Sequence, residues 1–530
     1  MLTALRADAS QWRRVRAESF DRRTVARATA LREAGDWRGA CAATRIDVAV
    51  DLDDVRHRYG AGTADAIEGD LRHFAPDLLW WHLPRHVGGL RTLQPRLDVV
   101  LPPPTDRDAG PLLRIRLPKS PRGPQRLRLD VVTREELRQR RWYVTPCHTW
   151  DVRRAGELRT AWGGSATRMP LFRPDGTPLP EPERGRGEDP AAHTERVYAM
   201  LYAGEYGRAW QACGIKVVYT APESLYRNGV GPGCPVDLIR QVRDAGRAFR
   251  TPRVSTVVGA HVAFELTEEA TVARVSAPDV YREVPVRVPV DAVPVDLVLL
   301  ADGSLRPGDL HPLVRAALFP GTDASPDPPP PPPARASLTR VRCGGQWHRA
   351  GVIAGAFSLP EHSAAERERE RILRAVGGTS GGCFAAEQGW TEGGVRLPRA
   401  LERRRREIRT RLLAGDTDFL LDGLADGSID PRMRDGAGWT LTHMVMWVDW
   451  RRALPALLDA GAPLDAGDRI GRTPLYVAVM NGADPDLMRR LLALGADHRA
   501  GTVHGSYPSY VAHQRSDWQD LSFFPDPTSH

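Results

Sequence analysis

The pattern Gly378-Thr379-Ser380-Gly381-Gly382 is the first grouping in this 530-residue chain whose types and spacing could do chemistry. G-x-S-x-G is the nucleophile elbow of hydrolases, a serine on a tight turn between a buried strand and a helix. Here a charged stretch, residues 364–376, comes before it and Cys383-Phe-Ala-Ala follows, so the expectation is a loop. Cys147-His148, beside Trp150-Asp151, could seat a thiolate and an imidazole. Neighbours on an extended chain point to opposite faces, however, so Cys147 would need another base, and a buried structural cysteine is the simpler reading. His82 and His86 are four apart, but Pro84 between them opposes the helix that would align them. Cys343, His348 and Cys383 could gather three metal ligands; they lack CxxC spacing, so no zinc site is expected.

Asp51, Asp53 and Asp54 fall where helix N-caps are expected. Gly229-Val-Gly-Pro-Gly233 precedes a helical stretch without completing G-x-G-x-x-G. Neither lysine of the chain, Lys119 or Lys216, follows a Walker A loop. The reading therefore names no catalytic residue, metal, cofactor or small-molecule ligand.

The elements that must carry any site divide the chain into several domains. Residues 1–95 read as a helical region: 12–34 lack Pro and Gly, Ala34-Gly35-Asp36 supplies a stop and a new cap, and Trp80-Trp81 plugs a core. Residues 96–322 read as an α+β domain with a mostly antiparallel sheet. Its strands are expected at 113–117, 127–131, 254–266, 284–290 and 295–300, and its helices at 195–213, 236–249 and 312–319. Residues 173–192 are rich in Pro, Gly and charge and are expected to loop. Six consecutive prolines, Pro328 to Pro333, sit in a proline-rich linker at 323–336, expected to be a stiff spacer. Residues 337–398 form a small α+β module with a hairpin and a charged helix.

Internal repetition marks the remainder. Asp435, Gly438 and Thr440 recur 33 residues later as Asp468, Gly471 and Thr473. Leu457-Leu458 and Gly461-Ala462 recur 34 residues later as Leu491-Leu492 and Gly495-Ala496. The same step carries Gly471, Pro474 and Tyr476-Val477-Ala478 onto Gly505, Pro508 and Tyr510-Val511-Ala512. Glycine at a hairpin tip permits positive φ, Thr473 can cap the next helix, and Pro474 suits its first position.

Gly471-Arg-Thr-Pro-Leu-Tyr-Val-Ala478 and Leu491-Leu-Ala-Leu-Gly-Ala-Asp497 resemble ankyrin repeats. The resemblance covers residues 399–521, with degenerate caps at both ends, and leaves 522–530 as a tail. Leu441-Thr442 stands in place of the usual Pro-Leu, and Pro455 interrupts an outer helix. The fold class expected is thus multi-domain α+β: a helical N-terminal region, a mostly antiparallel middle domain and a C-terminal ankyrin-repeat α-solenoid.

The resemblance implies protein binding through hairpin tips and the inner-helix surface. Carried onto this chain, the positions are Gly436, Ala437, Trp439, Trp447 and Val448, then Arg469, Ile470, Arg472, Met480 and Asn481. Tryptophan and arginine are typical hot-spot residues. Trp439 and Trp447 have a second reading, as packing within the chain.

Charge and cysteine usage narrow the classes. A net charge of +8 is small when 74 bases interleave with 66 acids, so nucleic acid is disfavoured as a partner. The near-absence of lysine fits a GC-rich bacterial coding sequence. Six dispersed cysteines suit a reducing cytoplasm, and no apolar run is long enough for a membrane span or a secretion signal. The expected function is that of a cytoplasmic adaptor or scaffold binding a protein of unknown identity. The alternative is an enzyme or effector acting through residues 96–322, with the repeats used for targeting.

Overall fold

The computed structural model describes residues 12–13, 15–16, 22–85, 92–104, 110–139, 142–219, 233–256, 261–267, 271–276, 286–289, 293–321, 338–515 and 521–526. The proline run, His86 and the glycines from Gly229 to Gly231 lie outside them. The chain forms two compact units: Met1–Pro118 with Arg126–Pro329, and Lys119–Gln125 with Pro330–His530.

Among its described residues the first unit holds two five-stranded sheets. One contains β1 (Ile46–Val48), β2 (Asp98–Leu101), β3 (Leu112–Arg116), β4 (Leu127–Val132) and β5 (Trp142–Val144), in the order β1-β4-β3-β2-β5. The other contains β6 (Ile215–Tyr219), β7 (Arg253–Thr256), β8 (His261–Leu266), β9 (Thr271–Ser276) and β10 (Arg287–Val288), in the order β10-β7-β8-β9-β6. Helices Trp37–Ala43, Ala61–Arg72 and Pro76–His82 pack with the first sheet through Trp37, Ile67, Leu71, Leu79 and Trp80, which share a core with Val99, Leu113, Ile115 and Leu129. Val100, Leu112 and Val132 belong to a second core shared with Val254, Phe264 and Ala273 of the other sheet. Both faces of the first sheet are therefore covered. Buried Arg114 on β3 is compensated from both neighbouring strands, by Asp130 at 2.8 Å and Asp98 at 3.3 Å.

The expected fold class is corrected here. Both large sheets are mixed: β1–β4, β2–β5, β6–β9 and β7–β10 run parallel, while the central pairs run antiparallel. Alternating valines mark a strand but say nothing of its direction. Nor are residues 1–95 all helical, because β1 lies among them. The apolar run at 295–300, expected as a strand, is the helix Val295–Ala301. A short run that is apolar on all sides cannot be told from a buried helix by periodicity. Its one charge, Asp296, accepts from Arg16 at 2.7 Å and from the Trp81 indole at 2.8 Å.

The second unit begins with a three-stranded antiparallel sheet, β11 (Thr339–Cys343), β12 (Gln346–Ile353) and β13 (Ala356–Ser358). Helices Ala364–Ala375 and Gly382–Thr391 follow. Beyond them the chain is helical: Arg399–Leu413, Thr417–Ala425, Trp450–Asp459, Pro474–Asn481, Pro485–Ala493 and Pro508–Gln514. A clear ankyrin solenoid does not emerge from this region, and the chain as a whole is mixed α/β. Where the first matching repeat needs an α-helix, the backbone makes a 3-10 helix, Thr442–Trp447. With Leu441-Thr442 replacing Pro-Leu, the His443 ring folds back onto Thr440, and Val448 turns extended (φ −99°, ψ 179°). The next helix, Trp450–Asp459, carries Pro455 inside it.

Candidate functional site

Two aspartates build the recurring tips of the second unit. One oxygen of Asp435 accepts from the amides of Ala437 (2.8 Å) and Trp439 (2.9 Å). Asp468 does the same for Ile470 (3.0 Å) and Arg472 (2.9 Å). Its second oxygen takes the Arg472 guanidinium at 2.6 Å and the Trp439 indole at 3.1 Å. Successive tips are joined through the backbone, Arg469 N to Ala437 O at 3.3 Å and Val503 N to Ile470 O at 2.9 Å. Gly438 (φ 89°) is held so close to the next tip that a Cβ there would meet Arg469 N at 3.0 Å. The tips are thus tied to one another and to the helices behind them.

Burial opposes ionisation of Asp468, but the donors of Arg472 and the Ile470 amide outweigh it and hold the carboxyl below its ordinary value. Its contribution is present above about pH 4 and is lost as pH falls through the lowered folded value. Asp468→Ala strands two backbone amides and a guanidinium, and we expect a cost of about 1–3 kcal/mol. Hydrogen exchange at residues 468–473 should accelerate by about tenfold or more, and unchanged exchange would refute this role.

The expected contact residues divide by environment. Arg469 and Ile470 are exposed at a tip. Trp439 is half-buried, stacked on Trp447 at 5.6 Å and on the His443 ring at 6.1 Å, with the Arg472 guanidinium 5.9 Å from its own ring centre. Met480 is half-buried, and its carbonyl accepts from Arg515. Trp447 and Asn481 are buried within the unit. The Trp447 indole donates to the Gly123 carbonyl at 3.0 Å, and a Cβ on Gly123 would lie 2.3 Å from the Asn481 carbonyl. The Asn481 side chain itself donates to the Val477 carbonyl at 3.0 Å, so both side chains are engaged within the unit. One exposed position was missed. Val503, 68% exposed, stands 34 residues after Arg469, the step that carries Gly471 onto Gly505, so the repeat register could have found it.

The other chemical candidates resolve as follows. Ser380 stands before the helix Gly382–Thr391, and the preceding element is a helix rather than a strand. Burial pushes the Cys147 thiol up to about 12, and Cys147 Sγ lies 3.6 Å from the Pro102 carbonyl. Burial, with Arg240 beside it, pushes His148 down to about 3, and the ring nitrogen faces Arg240 at 3.2 Å. No thiolate–imidazole pair forms between them. His82 is half-buried, its ring edge-on to Trp162. Asp51 is an N-cap, accepting from Asp53 N and Asp54 N.

A different grouping is assembled by the fold. Cys343, His348 and Cys383 come together with His362, all four ligand atoms lying within 4.8 Å of one another. His362 escaped the sequence reading because no spacing rule links it to the others. Cys383 is fully buried, and burial with Cys343 alongside raises its thiol pKa.

No protein-family model matches the chain. The chain is similar to the B-cell lymphoma 3 protein homolog of Mus musculus, 35% identical over 97 residues, which is 18% of this chain and 21% of that protein. It thus spans about a fifth of the length of that curated relative. The match lends the ankyrin-repeat resemblance partial support. Among the described residues, no helix is long and apolar enough to cross a membrane.

Proposed function

We propose that this chain is a protein-binding adaptor whose second unit engages its partner at the row of tips formed by Ala437, Ile470 and Val503. The observation that carries the reading is the exposure of Ile470 and Val503, 36% and 68%, on tips held by backbone hydrogen bonds. Apolar side chains on a pre-organised backbone lose little entropy on binding, which is how a small patch becomes a hot spot. Arg469 flanks them as a polar rim residue. The partial likeness to the mouse protein supports protein binding as the class of activity. Trp439 and Arg472 act from behind, fixing the tip through Asp468, while Trp447 and Asn481 serve packing. The first unit engages a second partner. A hollow of about 550 Å³ in that unit, outside the 96–322 region of the enzyme alternative, is lined by Arg38, Asp51, Asp53, Arg56 and Glu68, surface groups serving caps and ion pairs.

A photo-crosslinking side chain placed at position 470 should trap one protein, and the same group at exposed Arg247 in the first unit should not trap it. Identical products from both positions would count against the proposal.

A further inference from the structure

The small module that opens the second unit is tied together at one point by side chains of an unusual kind. β11 and β12 pair so that Val341 faces His348 and Cys343 faces Gln346. Side chains alternate along a strand, so Cys343, Val341, Gln346 and His348 share one face of the hairpin. The turn between them is Gly344-Gly345, with φ of 57° and 86°, the tight geometry that only glycine adopts freely at both positions. The opposite face carries Arg340, Arg342, Trp347 and Arg349, with Trp347 64% exposed.

Two more elements bring ligands to the buried face. His362 precedes the helix Ala364–Ala375, whose cap, Ser363, is closed by Glu366 at 2.7 Å. Cys383 lies in the first turn of Gly382–Thr391. That helix start approaches the hairpin so closely that a Cβ on Gly382 (φ 56°) would lie 2.7 Å from Cys343 Sγ and 2.8 Å from Cys343 Cα. His348 Nδ1 and His362 Nε2 face each other at 2.8 Å. The other nitrogen of His362 points to Glu366, 3.9 Å away, the kind of carboxylate that orients metal-bound histidines.

We infer that Cys343, His348, His362 and Cys383 form a structural zinc site. Bonds of about 2.3 Å to sulfur and 2.0–2.1 Å to nitrogen place tetrahedral ligands about 3.3–3.8 Å apart, within the span these atoms occupy. The imidazole nitrogens need open only by about half an ångström to admit the ion. Two thiolates and two imidazoles in a tetrahedron select zinc over magnesium or calcium, which take oxygen. Four protein ligands leave no open position, so the site is structural and not catalytic.

Its consequence is mechanical. Helix Ala364–Ala375 has no buried residue of its own, and the ion would tie the hairpin, the chain before this helix and the helix after it. The tied sheet then covers the start of the helical region. Gly355 N donates to Gly427 O at 2.8 Å, and Phe357 N to the buried carboxylate of Asp430 at 3.0 Å. An array of small helical units needs such an end cover, because its first unit cannot bury its own apolar face.

The test uses the full chain, purified without chelator, and elemental analysis. We expect about one zinc per chain, and a Cys383→Ser or His362→Ala chain retaining about tenfold less. Cys213→Ser, in the first unit, should retain the parental content. Should the site variants fail to fold, Co²⁺ exchanged into the parent decides alone. Strong tetrahedral d–d absorption with charge transfer from two thiolates supports the site. Absence of zinc with a weak octahedral cobalt spectrum overturns it, as does a Cys343–Cys383 disulfide in freshly purified protein.

Discussion

Arg114→Leu should destabilise the first unit by about 3–5 kcal/mol, the cost of breaking a buried charge cluster by removing one partner. Arg114 is 4% exposed and stands mid-strand on β3. It gives Nε and Nη2 to Asp130 at 2.8 and 3.0 Å, and Nη1 to Asp98 at 3.3 Å. Leucine fills much of the space but removes the guanidinium that the two buried carboxylates share, while Arg116 still reaches Asp130. Replacing Arg114, Asp98 and Asp130 together by apolar residues should recover most of the loss, since matched apolar groups carry no desolvation cost. The readout is hydrogen exchange at residues 98–101, 112–116 and 127–132, which localises the effect where a chain of two units has no single unfolding free energy. A change below about 1 kcal/mol would mean that the carboxylates reach water and that the charges are not buried together.

Lowering the pH from 7 to 4 should remove about 3 kcal/mol from the second unit through His443 alone. The ring is buried: Nδ1 accepts from Thr440 N at 3.0 Å, and Nε2 donates to the Arg472 carbonyl at 2.8 Å. That pattern is satisfied only by the neutral ring. Burial pushes its pKa down to about 4, partly opposed by the bond to the Arg472 carbonyl. The folded value lies below the unfolded value of about 6.5, so the unfolded chain takes up a proton that the fold refuses between those values. Stability from this source is therefore complete above about pH 6.5, declines as the pH falls to about 4, and is constant below. His443→Gln will cost stability at neutral pH by disturbing the tip, yet its pH slope over that window should be shallower by about one proton. An unchanged slope would show that His443 is protonated in the fold.

Local chemistry was legible in this chain, and long-range assembly was not. Asp36, Asp51 and Thr473 cap the helices that the residue types announced, because a cap is decided by three or four consecutive residues. Trp80 and Trp81 are core residues, and the recurring aspartates and glycines do make recurring tips. Strand direction was illegible, since alternation along β4 is the same whether β1 runs with it or against it. The 295–300 run, helical in the fold, is apolar on nearly every side and so carries no periodicity to tell helix from strand. The Cys–His cluster joins residues separated by 4, 13 and 20 others, contributed by a hairpin, a loop and a helix start. Only folding brings these together, and a motif search tuned to CxxC passes over them. Trp447 is a contact residue by position, yet its indole meets the residue 119–125 segment, which nothing near it in sequence announces, and the Asn481 amide turns back onto Val477 of its own helix.

The most direct test of the adaptor account is the affinity of the partner trapped at position 470 for the parent chain and for an Ile470→Asp, Val503→Asp double variant with unchanged hydrogen exchange. Charging two apolar hot-spot positions should weaken binding by about tenfold to a hundredfold, mostly through faster dissociation. Equal affinity for the two chains would contradict the claim that the tips form the binding surface.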